Sequence, residues 1–372
     1  MKRERRDIFV WICLIAVVTL FRYVTVLADF YALHIYPYIS YVLSLESSVI
    51  SYSLEEIVVL FIVFVFIVNI IRSVTKRITW KECFRKEFKL MALTYVWFYI
   101  GWGINYSRSS LTERVEVEKE EFDKDAFMSF LSEYTDSLNS LYVEQVTYQP
   151  VQTEAAIKDY FQSVPKKYGL CKPRDWHHSK RTLLNGLYSG SGVYGFMGPF
   201  FNESQLNSDL LPLQYPFTMA HEYSHMLGVS NEAEANWWAF QACSAQKDST
   251  IRYSAWYSLF VHVWNNAYGL LDEEEFNEWR STVRTEILAQ IASEQSYWQE
   301  KRFGPLDTTQ RFIYEIFLKG NGIPSGMKNY SEVIGLLITL DKPTMSSVMA
   351  GSFERRARPV GPQPKRGSRS RR

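Results

Sequence analysis

Histidine is scarce in this chain of 372 residues, with six copies, and cysteine is scarcer, with four. No internal repeat of fixed period occurs, which excludes an array of stacked units. The glycines between 183 and 201 do not follow a dinucleotide-binding fingerprint in a strand-to-helix setting, so that chemistry is discarded. Net charge is also nearly absent, 41 basic against 40 acidic residues, but the balance is uneven along the chain. Residues 1–105 hold 12 basic and 8 acidic residues, residues 106–354 hold 21 and 32, and residues 355–372 hold 8 and none. With 47% hydrophobic and 16% aromatic content, disorder and a coiled coil are excluded.

The apolar residues gather first in three runs. Ile8 to Ala28 is long enough to cross about 30 Å of hydrocarbon and lacks a small-x-small exit, which favours a span over a cleaved signal peptide. Spans are expected near 8–28, 53–72 and 89–105, the last rich in aromatic residues suited to an interface. Lys and Arg are missing altogether between Asp29 and Glu56, a loop that is therefore expected outside. The basic N-terminus and the basic segment from Arg72 to Lys89 are expected in the cytoplasm. An inner-membrane protein with its N-terminus inside follows, and residues 106–354 form an acidic extracytoplasmic domain of a size that folds alone. Two cysteines, Cys171 and Cys243, fall in it; a disulfide is permitted there, and two buried free thiols are equally ordinary. The Arg-rich end, 355–372, is expected to be a disordered tail meeting anionic lipid or polymer, with no specific nucleic acid partner.

Within the domain, helical periodicity covers 127–141, 216–227, 231–246, 252–268, 273–298, 308–319 and 330–340. Gly192 to Phe201 suits an extended segment, and one edge strand is expected there. The fold class is mainly α: three N-terminal membrane helices and a mostly helical domain with a small strand element ahead of residue 216.

The scarce histidines include one ordered pair. His221-Glu222-Tyr223-Ser224-His225 puts two imidazoles four apart, on one helix face, where both can hold one metal ion. Chance gives this pattern in roughly one such sequence per hundred. Gly228 can end that helix, Ser230 or Asn231 can cap a second, and the reversal returns the second helix beside the first. A catalytic zinc takes three protein ligands and keeps an open position, so one ligand is still needed. Glu232 is favoured, because Asn236 lies on its face and can hold the free ring N–H of a ligand histidine; Glu234 is the alternative. His262 and Tyr257 are candidate oxyanion donors, although an ordinary core or surface role is commoner for such a histidine. His177 and His178, in a polar loop with Arg174, Asp175 and Lys180, are expected to be solvated.

These residues resemble zinc metallopeptidases of the gluzincin type, with Asn236 where that group usually has Asp. The metzincin pattern is matched only up to Gly228, after which its third ligand would fall on Asn231. Over most of the chain, including Trp102-Gly-Ile-Asn-Tyr-Ser-Arg108 and Phe317-Leu-Lys-Gly-Asn-Gly322, the sequence is similar to an uncharacterised bacterial membrane family, a domain of unknown function with a peptidase-like zinc motif. The resemblance implies Zn2+ held by His221, His225 and Glu232, Glu222 as general base, and a protein or peptide substrate. The motif is expected far from the spans. The rival reading is a non-catalytic membrane-anchored binding or envelope-assembly protein whose zinc is structural or lost.

Overall fold

The computed structural model describes residues 2–118, 123–147 and 149–340. The basic tail and the end of the expected domain, 341–354, lie outside the described residues. Lys2–Tyr23 forms helix α1, and extended backbone at Val24 then turns the chain by 99°. After α2 (Thr25–Phe30) a π-helical turn at Tyr31–Ile35 leads into α3 (Tyr36–Ser47). Pro37 gives a local reason for that turn, since it brings no N–H to the first turn of α3. Helix α4 (Leu54–Val74) starts at Ser53, whose hydroxyl accepts from Glu56 N at 3.0 Å. Helix α5 (Trp80–Gly101) starts from a reciprocal Thr79–Glu82 capping box.

Of these, α4 is long and apolar enough to cross a membrane, and α1 with its bent continuation qualifies if the pair counts as one broken span. The third expected span falls in α5, which does not qualify, because its first half carries Lys81, Glu82, Arg85, Lys86, Glu87 and Lys89. One or two candidate spans therefore stand among the described residues where three were expected. The segment from Asp29 to Glu56, expected as a loop, is mostly helical, with Tyr31, Tyr36, Ser40 and Ser44 buried. Aromatic packing holds one face of it against the core, while Tyr38, Tyr41, Val42 and Leu45 on the other face stay exposed.

Beyond a 3-10 turn at Gly103–Ser107 come the short α6 (Leu111–Arg114), α7 (Lys124–Ser140) and α8 (Pro150–Ser163). Strand β1 (Lys180–Arg181), helix α9 (Asn185–Ser191), β2 (Gly195–Gly198) and β3 (Glu203–Leu206) follow. The sheet order is β1-β3-β2, with β1 parallel and β2 antiparallel to β3, so β2 forms an open edge among the described strands. Glu203 ties this sheet to the start of α4. Its buried carboxylate accepts from Lys180 Nζ at 2.6 Å, Leu54 N at 3.2 Å and Glu55 N at 3.2 Å.

Two helices buried along nearly all their length, α10 (Tyr215–Met226) and α11 (Glu232–Ser244), form a hairpin at the centre, and α12 (Ser249–Leu270) packs across both. Trp238, Met219, Tyr253 and Leu259 are buried at this crossing. The stretch expected as one helix over 273–298 is two, α13 (Glu273–Thr282) and α14 (Thr285–Lys301). Asn139 bridges the break by donating to Thr282 O at 2.8 Å and accepting from Arg284 N at 3.0 Å. Helix α15 (Gly304–Gly320), a 3-10 turn and α16 (Val333–Leu340) complete the described chain.

The buried core runs without a break from Val18, Tyr31, Tyr99 and Trp102 into α10, α11 and α12. Trp102 Nε1 donates to His225 O at 2.9 Å, and Tyr36 O–H donates to Met226 O at 2.7 Å. The motif expected far from the spans thus rests on the ends of the N-terminal helices, because aromatic residues just after α5 and at the start of α3 pack beneath it.

Candidate metal centre

Pro216, with no N–H to satisfy, sits in the first turn of α10. At the other end the helix closes with Val229 N bonded to Ser224 O at 3.1 Å, and Gly228 takes φ +101°, a conformation that a side chain would strain. Asn231 then caps α11, accepting from Glu234 N at 2.9 Å. Asn329 adds a second cap from far along the chain, its Oδ1 accepting from Glu232 N at 2.9 Å and Ala233 N at 3.2 Å. The short turn and the two caps fix Glu232, at the start of α11, against the last turn of α10.

Each histidine is oriented by its outer nitrogen. His221 Nδ1–H donates to Asn236 Oδ1 at 2.8 Å and His225 Nδ1–H donates to Val229 O at 2.7 Å, so both Nε2 atoms face the same point. They lie 3.1 Å apart, and Glu232 Oε2 lies 3.2 Å from His221 Nε2 and 3.3 Å from His225 Nε2. Ligand bonds of about 2.0–2.1 Å at tetrahedral angles separate donor atoms by about 3.3 Å, so the three atoms fit one metal ion. The buried Glu232 Oε2 has no hydrogen bond of acceptable geometry, which is the state of an acceptor waiting for a cation. His221, His225 and Glu232 therefore form a buried group able to hold a metal ion.

The three groups also form one electrostatic unit, in which a proton on His225 Nε2 holds the place that a metal cation would take. Burial alone would disfavour charge, but attraction between the groups outweighs it, raising His225 to about 9 and pulling the Glu232 carboxyl far below its ordinary range. Glu222 faces outward from this triad into a cavity of about 1300 Å³ that also touches His221, Tyr257, His262 and Tyr314. Burial raises Glu222 to about 7 against the pull of His221 and His225, which suits a group that takes and returns a proton at neutral pH. Strand β2 passes directly over it: a Cβ on residue 195 would lie 2.6 Å from Glu222 Oε1, so only glycine fits there.

The other expected residues fall in different places. Glu234 is buried away from the triad, paired with Arg114 and accepting from Trp238 Nε1 at 3.1 Å. Tyr257 lines the cavity with its hydroxyl bonded to Glu294, and His262 lines it close to His221, held mainly neutral by burial. His178 is exposed, its Nδ1 2.6 Å from Glu154 Oε1, but His177 is buried, against expectation. Its backbone carbonyl accepts from Tyr223 O–H at 2.9 Å, which draws it under α10. Cys171 and Cys243 are both buried free thiols.

Two neighbours of the triad had no signal in the sequence. Tyr314 O–H donates to Glu232 Oε1 at 2.6 Å across 82 residues, occupying the carboxylate oxygen that does not face the histidines. Trp102, bonded to the His225 carbonyl, is the other. No amphipathic pattern or spacing reports contacts of that sequence separation.

The comparisons with known proteins bear on family alone. No curated protein matches the chain, and no solved structure does. One family model matches, described as a protein of unknown function and covering residues 31–338, from the π-helical turn through nearly all of α16. The chain belongs to that family, DUF3810.

Proposed function

We propose that the protein is a membrane-anchored zinc-dependent metallopeptidase. The convergence of two imidazole Nε2 atoms and one carboxylate oxygen within 3.3 Å, beside Glu222 in an open cavity, carries the reading. Two histidines and a glutamate make a donor set suited to catalytic zinc. Zinc in that seat would supply Lewis acidity and a water acidified toward neutral pH. Glu222 takes the proton from the attacking water and returns it to the leaving amine. Asn236 and the Val229 carbonyl hold the two rings in register, and Tyr314 fixes Glu232. His262, on the cavity wall, is placed to donate toward an oxygen developing negative charge.

The open edge of β2 gives an extended peptide a place to pair. The ladder bond from Asn207 N to Tyr194 O, 2.9 Å, sets the alternation, so Gly195 and Met197 turn their N–H and C=O groups outward. For the membrane part, we take the whole of α5 as a third span beside α4 and α1, its charged first turns at the cytoplasmic interface, and the Lys and Arg distribution favours an N-terminus in the cytoplasm and a metal centre outside. The outer ends of α1 and α5 meet there, with Ser107 Oγ donating to Arg22 O at 2.6 Å. Alkaline phosphatase fused in 29–56 or after 106 should be active, and activity in the first position alone overturns that topology. Catalysis is tested by peptide-pool hydrolysis read by mass spectrometry. Wild-type protein cuts and Glu222→Gln does not; equal products from both would sink the peptidase reading.

A further inference from the structure

Arg302, just after α14, lies on the wall of the same cavity beside the approach to β2. A Cβ on residue 192 would lie 2.6 Å from Arg302 Nε, as one on residue 195 would lie 2.6 Å from Glu222 Oε1. The guanidinium and the carboxylate of Glu222 are thus two marks three residues apart along one segment, which reaches at most about 10 Å. Arg302 Nε is buried with no hydrogen-bond partner, and among the described residues no carboxylate pairs with this guanidinium. Of the other charged groups on the cavity wall, Asp307 pairs with Arg311 at 3.1 Å, Glu294 accepts from Gln214 Nε2 at 2.8 Å, and the Arg280 guanidinium lies over the Trp264 ring at 5.7 Å. A buried guanidinium N–H with nothing opposite it is costly, and the fork of donors it belongs to fits a carboxylate.

Strand direction says which end of a substrate would supply that carboxylate. A peptide added antiparallel to β2 runs against the order Gly195 to Gly198, so beyond Glu222 it heads toward Gly192 and Arg302. Its C-terminal side then faces the guanidinium. A parallel peptide would bring its N-terminal side there instead, and an ammonium group would be repelled. Resting on the peptidase reading above, we infer that the site takes peptides with a carboxylate two or three residues beyond the bond at Glu222, gripped by Arg302. The group is either the free C-terminus or an Asp or Glu side chain.

The test measures binding, so it does not require turnover. Full-length Glu222→Gln protein in detergent is titrated with fluorescein-labelled octapeptide pools of neutral residues, read by anisotropy. One pool ends in a free acid, one in an amide, and one in an amide with Glu third from the end. At least one anionic pool should bind roughly tenfold tighter than the neutral amide, as expected for charged hydrogen bonds. Preference for the first pool assigns the C-terminal carboxylate, and preference for the third assigns an acidic side chain. Arg302→Gln, checked for an unchanged melting profile, should erase the preference, and Arg302→Lys should keep part of it. Equal binding of all pools, binding of none, or a preference that survives Arg302→Gln overturns the inference. If the preference holds while wild-type protein hydrolyses nothing, the peptidase reading fails and the anion site stands.

Discussion

Replacing Asn236 by alanine removes a single acceptor from the metal centre. His221 Nδ1–H, now 2.8 Å from Asn236 Oδ1, would lose that acceptor in a buried setting. A donor stranded in this way costs about 1–3 kcal/mol, and the ring escapes by turning or by moving its proton to Nε2, where it blocks the metal. Tenfold in affinity is about 1.4 kcal/mol, so the loss corresponds to roughly 10- to 100-fold weaker metal binding, in line with the effect of removing partners of ligand histidines elsewhere. His225 should be untouched, because its Nδ1–H rests on the Val229 carbonyl at 2.7 Å. Competition of full-length protein in detergent against a chromophoric chelator gives the zinc Kd directly. Asn236→Ala should raise it by that factor while one zinc still binds at saturation, and Asn236→Asp should lower it, since a carboxylate polarises the ring more. An unchanged Kd in Asn236→Ala, with the melting profile also unchanged, would refute the orienting role and with it the assignment of Nε2 as the ligand atom.

Gly195→Ala should abolish peptide hydrolysis while leaving zinc content intact, because the new methyl group can be accommodated only by moving Glu222; normal turnover would mean that Glu222 works from another position. His177 is 2% exposed and held down to about 3 by burial, with the charges of Arg174 and Lys158 adding to it. Its folded pKa lies below the ordinary 6.5, so the unfolded chain binds its proton first as pH falls. The stability this histidine leaves in place above pH 6.5 is then lost progressively down to about pH 3, by up to about 4 kcal/mol. His177→Gln should flatten that part of the pH–melting curve, and an unaltered slope would contradict its burial as a neutral group. Lys180→Met breaks a buried ion pair, for which roughly 3–5 kcal/mol is usual. Glu203 keeps Ser53, Leu54 and Glu55 as donors, so a loss near the lower figure is expected by thermal melting, with much of it recovered in Lys180→Met/Glu203→Gln.

What could be read from the sequence was local. The paired histidines, the glycine that closes their helix and the asparagine that caps the next lie within sixteen residues, so helical geometry alone brings His221, His225, Glu232 and Asn236 together. Choosing between Glu232 and Glu234 also needed only the side of one helix. The strand near Gly195 was marked by its glycines and aromatics, although its contact with Glu222 was not. Everything set by packing between distant segments was hidden. The segment from Asp29 to Glu56 reads as an outside loop until Tyr36 is seen beneath Met226. His177 reads as solvated until Tyr223 is seen holding its carbonyl. Tyr314 and Trp102 reach the metal centre across 82 and 123 residues, and no periodicity carries that information. The single helix expected over 273–298 breaks where Asn139, from a different helix, offers the backbone its partners.

The central claim is that one metal ion is held by His221, His225 and Glu232, and elemental analysis of the purified full-length protein tests it most directly. Wild-type protein and Glu234→Ala should each carry one zinc per chain, and Glu232→Ala should carry none. Zinc absent from the wild type, or kept by Glu232→Ala and lost by Glu234→Ala, would contradict the account.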